Sequence, residues 1–228
     1  MKGAKEEFKQ QILDKWLPLF CLPRDFSTQG YDSRNANLLD DHDAYWFSKT
    51  MELALVKEKG GFFYAPHSKA KEQIFWEGSK SISPRPLSLW LEPVITIGAV
   101  GRLFQEFGWP QDQLGMQSES FAFDLVAYTP DSREYLVCEV KKTVREIETL
   151  VEFMKEYAGE PKLSEEPTDA KRRNAYRKVI GIRKAWPSVF WALGPAGYGY
   201  VFEIHRTDAE SSFKLRPADL SALSRPVA

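Results

Sequence analysis

One acid in this sequence sits where a hydrophobic residue is expected. Glu139 interrupts the run Tyr135, Leu136, Val137, Cys138, Glu139, Val140, which otherwise reads as a buried central strand. Lys141 lies two positions on, so both side chains point to the same face of that strand. Asp124 holds a similar place in the preceding apolar run, Phe123 to Tyr128. A tight hairpin through Thr129, Pro130, Asp131 and Ser132 would bring the two acids side by side. Adjacent buried carboxylates repel, and they are costly to ionise unless a divalent cation neutralises them. Oxygen-only ligands of this kind suit Mg²⁺ or Mn²⁺. A lysine beside them could orient or deprotonate a water, or stabilise negative charge on a phosphate. That is equipment for hydrolysing a phosphodiester. The plain alternative is a strand-edge salt bridge from Glu139 to Lys141 or to a neighbouring arginine, with Asp124 exposed.

The elements around these residues follow from periodicity and breakers. Apolar residues Val100, Leu103, Phe104 and Phe107 mark a helix over 94–107, with Pro93 in its first turn and Gly108 after its end. Short and long strands are expected at 114–117, 121–128 and 135–140. Helices follow over 143–157 and 169–184, then strands at 188–193 and 200–204 across a glycine-rich turn. Before this block, Phe8, Ile12, Leu13, Trp16 and Leu17 share one face of a helix over 6–20. A second helix is expected over 44–57, and strands at 62–65 and 73–76. Ser83, Pro84, Arg85 and Pro86 break the pattern, which divides the chain into a smaller mixed α/β unit, residues 1–90, and a main unit, residues 91–228.

At Asp124, Glu139 and Lys141 the sequence resembles the PD-(D/E)XK nuclease superfamily, the restriction-endonuclease-like fold. The order helix, three strands, helix, strand fits that family, and the resemblance covers residues 92–204. It implies an α/β (α+β) core, a mixed central sheet flanked by helices. It also implies that Asp124 and Glu139 hold the metal, Mg²⁺ or Mn²⁺, and that Lys141 is the catalytic lysine. Many members carry a further acid in the first helix, and the middle of that helix has none here. Glu106 near its end is the first substitute, and Glu92 at its start the second. The expected activity is hydrolysis of phosphodiester bonds, with DNA as the partner and a homodimer left open, because two strands need two sites. The family also contains inactive relatives, so an idle domain that binds nucleic acid or a protein is the alternative.

Residues 171–184 hold Lys171, Arg172, Arg173, Arg177, Lys178, Arg183 and Lys184 and no acid. With Lys142, the residues Arg172, Arg173, Arg177 and Lys178 would grip phosphates, and Tyr176 and Trp186 could stack on bases. Alternatively the run is a solvated face paired with the acidic stretch 146–166. Composition narrows the rest. A net charge of −1 over 228 residues argues against coating nucleic acid through bulk charge. Two cysteines and three histidines are too few for a disulfide framework or a histidine-based metal cage. No apolar run is long enough for a membrane span and no signal peptide is visible, so a cytoplasmic protein with no membrane partner is expected. Asp40, Asp41, His42 and Asp43 point in different directions, and are read as a loop with Asp43 as a helix cap.

Overall fold

The computed structural model of the chain describes residues 1–120, 122–163, 165–207 and 211–226. It is a mixed α/β protein whose main sheet has six strands. The N-terminal part opens with α1 (Ala4–Gln11), which runs through a π-helical turn (Ile12–Trp16) into α2 (Leu17–Cys21). Sequence periodicity suggests one regular helix here. The wider turn resets the register so that Ile12, Trp16, Leu17 and Phe20 are all buried. A short strand β1 (Tyr31–Asp32) precedes α3 (Asp41–Glu52). The N-cap of α3 is Asp40, which accepts from the His42 amide at 2.7 Å, and not Asp43 as the sequence suggests. Asp43 is instead buried and accepts from the Ala196 amide at 2.9 Å.

Strands β2 (Lys57–Lys59) and β3 (Phe62–Tyr64) form a hairpin across Gly60 and Gly61, both at positive φ. Strand β4 (Phe75–Glu77) pairs with β5 (Leu87–Leu89), and β5 pairs with β1 in parallel. The β5 strand follows directly on the segment that sequence breakers mark as a boundary. Prolines stop local periodicity but do not stop the chain from returning to a sheet.

Helix α4 (Leu91–Gln105) is buried almost all round. One side packs on the main sheet, and the other carries Gly98 and Gly101 against Trp46, Phe47 and Thr50 of α3. A Cβ at Gly101 would collide with the Thr50 hydroxyl, so this approach requires glycine. The main sheet then follows as β6 (Leu114–Met116), β7 (Leu125–Tyr128) and β8 (Glu134–Val140), an antiparallel meander. Helices α5 (Val144–Ala158) and α6 (Ala170–Ala185) cross over to β9 (Val189–Leu193), which lies parallel to β8. Strands β10 (Gly199–Arg206) and β11 (Phe213–Ala218) complete the sheet in antiparallel fashion. The expected strand at 121–128 is ordered as strand only from Leu125, and Phe121 lies outside the described residues.

Strand parity divides the core into two layers. Leu136, Cys138 and Val140 face α4 and the N-terminal helices, whereas Val137 and Phe190 face α5 and α6. Helix α5 presents Ile147, Leu150, Val151, Met154 and Ala158 to that second face. Its start is closed by Thr143, whose hydroxyl accepts from the Glu146 amide at 3.2 Å and donates back to the Glu146 carboxylate. At one edge of the sheet, β11 buries Phe213 and Leu215 and exposes Lys214, Arg216 and Pro217. At the other, the amides of His67 and Lys69 donate to the Leu114 and Met116 carbonyls, each at 3.1 Å. No described helix is long and apolar enough to cross a membrane.

Candidate active site

The end of β8 and the approach to β7 converge on Asp124 and Glu139. The backbone is tied there by the Asp124 amide, which donates to the Cys138 carbonyl at 2.9 Å. The Asp124 side chain continues the ladder, with Oδ2 accepting from the Val140 amide at 2.8 Å. Among the described residues no hydrogen bond reaches Oδ1. Glu139, by parity on the α5 and α6 face with Val137, is 2% exposed. Its Oε1 takes the Lys141 ammonium at 2.5 Å, and Lys141 also donates to the Val140 carbonyl at 3.0 Å.

A second lysine enters from helix α6. Lys178 Nζ lies 2.5 Å from Glu139 Oε2 and donates to the Ala122 carbonyl. The ammonium has three donors, so it serves the Glu139 carboxylate and the Ala122 carbonyl together. Helix α6 comes this close because residue 181 is glycine. A Cβ there would lie 2.7 Å from the Ala122 Cβ and 3.0 Å from the Phe123 ring. The sequence pattern groups Lys178 with the phosphate-gripping residues; the structure places it inside the acid cluster. Ala175, Val179 and Ile182 bracket it on the buried face of α6. That apolar spacing around a lysine is the signal the sequence carries.

The electrostatics follow from this crowding. Burial, and then the Glu139 charge, push the Asp124 carboxyl up to about 7, against the opposing pull of Lys178 and Lys141. Burial also works to raise Glu139, but Lys178 and Lys141 outweigh it and hold that carboxyl below its ordinary value. Burial works to lower Lys141, and the charges of Glu139 and Asp124 raise it above the ordinary lysine value.

The substitute acids separate clearly. Glu92, at the start of α4, contributes to the field at Lys141. It also reaches Glu72, a half-buried acid whose carboxylate accepts from the Gln117 amide side chain at 2.8 Å. Burial raises Glu72, the Gln117 bond opposes it, and Glu92 adds to it. Glu106 instead pairs with Arg102 at 2.9 Å. Arg102 lies over Trp191, in the core layer on the opposite side of the sheet from Glu139. By position Glu92, and not Glu106, lies toward the Asp124 and Glu139 cluster. Glu72 has no sequence signal, being an isolated acid in a polar loop.

Of the expected phosphate-binding residues, Lys142 is exposed next to Lys141. Arg172 pairs with Glu156 at 2.7 Å and Arg177 with Glu166 at 2.5 Å. Arg173 reaches the Thr168 carbonyl at 3.4 Å. These arginines line one side of α6, at exposed or half-buried positions.

Two carboxylates meet here, Asp124 just before β7 and Glu139 on β8, and oxygen donors of this kind fit a small divalent ion; Oδ1 of Asp124 accepts no hydrogen bond from a described residue, while Oε2 of Glu139 already holds Lys178. Three or more His, Cys, Asp or Glu side chains do not converge on a metal position among the described residues. Any further ligands would be backbone oxygens, water or substrate. No family model, curated protein or solved structure matches this chain.

Proposed function

We propose that this chain is a metal-dependent nuclease with a restriction-endonuclease-like core, hydrolysing phosphodiester bonds in DNA. The observation that carries the reading is the pair of half-buried Asp124, just before β7, and buried Glu139 on β8, with Lys141 bound to Glu139. The order of elements supports it: helix α4, the antiparallel strands β6, β7 and β8, a helical crossover, and β9 parallel to β8. Asp124 and Glu139 would hold Mg²⁺ or Mn²⁺, which supplies Lewis acidity and a more acidic bound water. Lys141 stands where its ammonium orients a water against the phosphate and stabilises charge on the phosphoryl oxygens. Glu139 and Asp124, with a smaller contribution from Glu92, favour the protonated Lys141 ammonium. Lys142 and the arginines of α6 would bind backbone phosphates at the rim, exchanging their present carboxylate partners for substrate.

One observation favours a second reading, a catalytically idle domain that binds nucleic acid or a protein. Lys178 adds a second ammonium to Glu139, so the protein's own cations already compensate that carboxylate. A cleavage assay separates the two. Purified protein with Mg²⁺ or Mn²⁺ is incubated with single- and double-stranded DNA and RNA, beside Asp124→Ala and Glu139→Ala. Metal-dependent cleavage by the wild type, lost in both variants, is expected. Full cleavage by both variants would remove Asp124 and Glu139 from the mechanism. Binding without cleavage by the wild type, weakened by charge reversal at Arg172, Arg173 and Arg177, would establish the idle domain.

A further inference from the structure

With both acids ionised, the cluster has two charges of each sign: Asp124 and Glu139 against Lys141 and Lys178. A site built around one lysine would be left with a net negative charge and would attract a divalent ion by itself. This one would become strongly positive on taking an ion, with two ammonium groups in contact range of the same carboxylate. The second lysine is held differently from the first. Lys141 reaches Glu139 Oε1 from the end of the same strand, whereas Lys178 comes from α6 and divides its donors between Oε2 and the Ala122 carbonyl. Lys178 can therefore give up Oε2 without losing its anchor on the segment before β7.

We infer that Lys178 is a resident cation of the site, holding the Glu139 oxygen that a divalent ion would use and yielding it when the ion arrives together with a phosphate anion. The inference rests on the metal-dependent reading above. An anionic phosphate offsets the excess charge that the ion brings, and the ammonium released from Oε2 is left facing that anion. The consequence is synergy: metal and nucleic-acid phosphate each bind weakly alone and tightly together, which keeps the free protein from holding an active ion.

The test is calorimetric titration of Mn²⁺ into the full chain, with and without a phosphorothioate-linked DNA hairpin carrying a single-stranded tail. Wild type is expected to bind Mn²⁺ at least about tenfold more tightly with the DNA present. Lys178→Met and Lys178→Gln, the latter keeping a donor for the Ala122 carbonyl, are expected to bind Mn²⁺ without DNA about tenfold more tightly than wild type. Lys178→Arg, which retains the charge, is expected to behave as wild type. Equal Mn²⁺ affinity in the wild type with and without DNA would overturn the inference and leave the nuclease reading standing; that arm needs no variant to fold. Absence of Mn²⁺ binding in every protein, DNA included, would overturn the metal reading and the inference with it.

Discussion

Replacing Asp124 by asparagine should make the protein more stable at neutral and alkaline pH, and the size of the gain can be worked out. The Asp124 carboxyl is pushed from the ordinary 3.8 up to about 7, first by burial and then by the Glu139 charge. An acid whose folded value lies above its unfolded value binds more protons in the native state, so stability falls as pH rises between the two values. Below pH 4 the carboxyl is protonated in both states and contributes nothing. Above pH 7 the native state carries the full penalty. Each pH unit between the two is worth about 1.4 kcal/mol, and the interval amounts to about 4 kcal/mol. Asparagine is the neutral isostere, and its carbonyl oxygen can still accept from the Val140 amide. Urea unfolding of wild type and Asp124→Asn from pH 4 to pH 8 is the assay. The two should be close at pH 4, with the variant gaining steadily to about 4 kcal/mol at pH 8. Glu139 is displaced in the opposite direction, and its contribution is confined to lower pH, so it does not mask this window. Parallel stability profiles for the two proteins would refute the argument that Asp124 is desolvated beside a charged Glu139.

Three further outcomes are expected. Glu92→Gln should slow metal-dependent cleavage, because Glu92 acts on Lys141, while Glu106→Gln should leave it unchanged, since its partner Arg102 belongs to the other core layer; steady-state rates on one DNA substrate decide this. Gly181→Ala should destabilise the chain by roughly 1–3 kcal/mol by forcing α6 away from Ala122 and Phe123, read as a lower urea midpoint. Charge reversal of Arg172, Arg173 and Arg177 should weaken DNA binding and flatten its dependence on salt, by roughly 0.9 in the logarithmic slope for each duplex phosphate no longer neutralised.

The parts of this molecule that are legible in its sequence are those where local pattern and burial agree. An acid inside an apolar strand is readable because burying it needs a reason, and Asp124, Glu139 and Lys141 do gather at one end of the sheet. Helices α4, α5 and α6 are readable from their periodicity and from Pro93, Thr143 and Asp169 at their starts. What escapes depends on tertiary approach. Lys178 sits in a basic run that reads as solvated, and only the close packing at Gly181 brings its helix within reach of Glu139. The choice between Glu92 and Glu106 turns on which end of α4 faces β8, which periodicity alone does not give. Strand β5 is short and follows a proline-rich segment, and β11 carries Pro217 within it, so their pairing comes from the sheets that receive them.

The treatment of the two margins of the main sheet has a consequence for assembly. Pro217 brings no N–H to the β11 margin and its charged neighbours stay hydrated, while the His67 and Lys69 amides already occupy carbonyls along β6. Among the described residues both margins thus resist the addition of another strand. A second copy of this chain is better received by helical or loop surfaces than by prolonging the sheet.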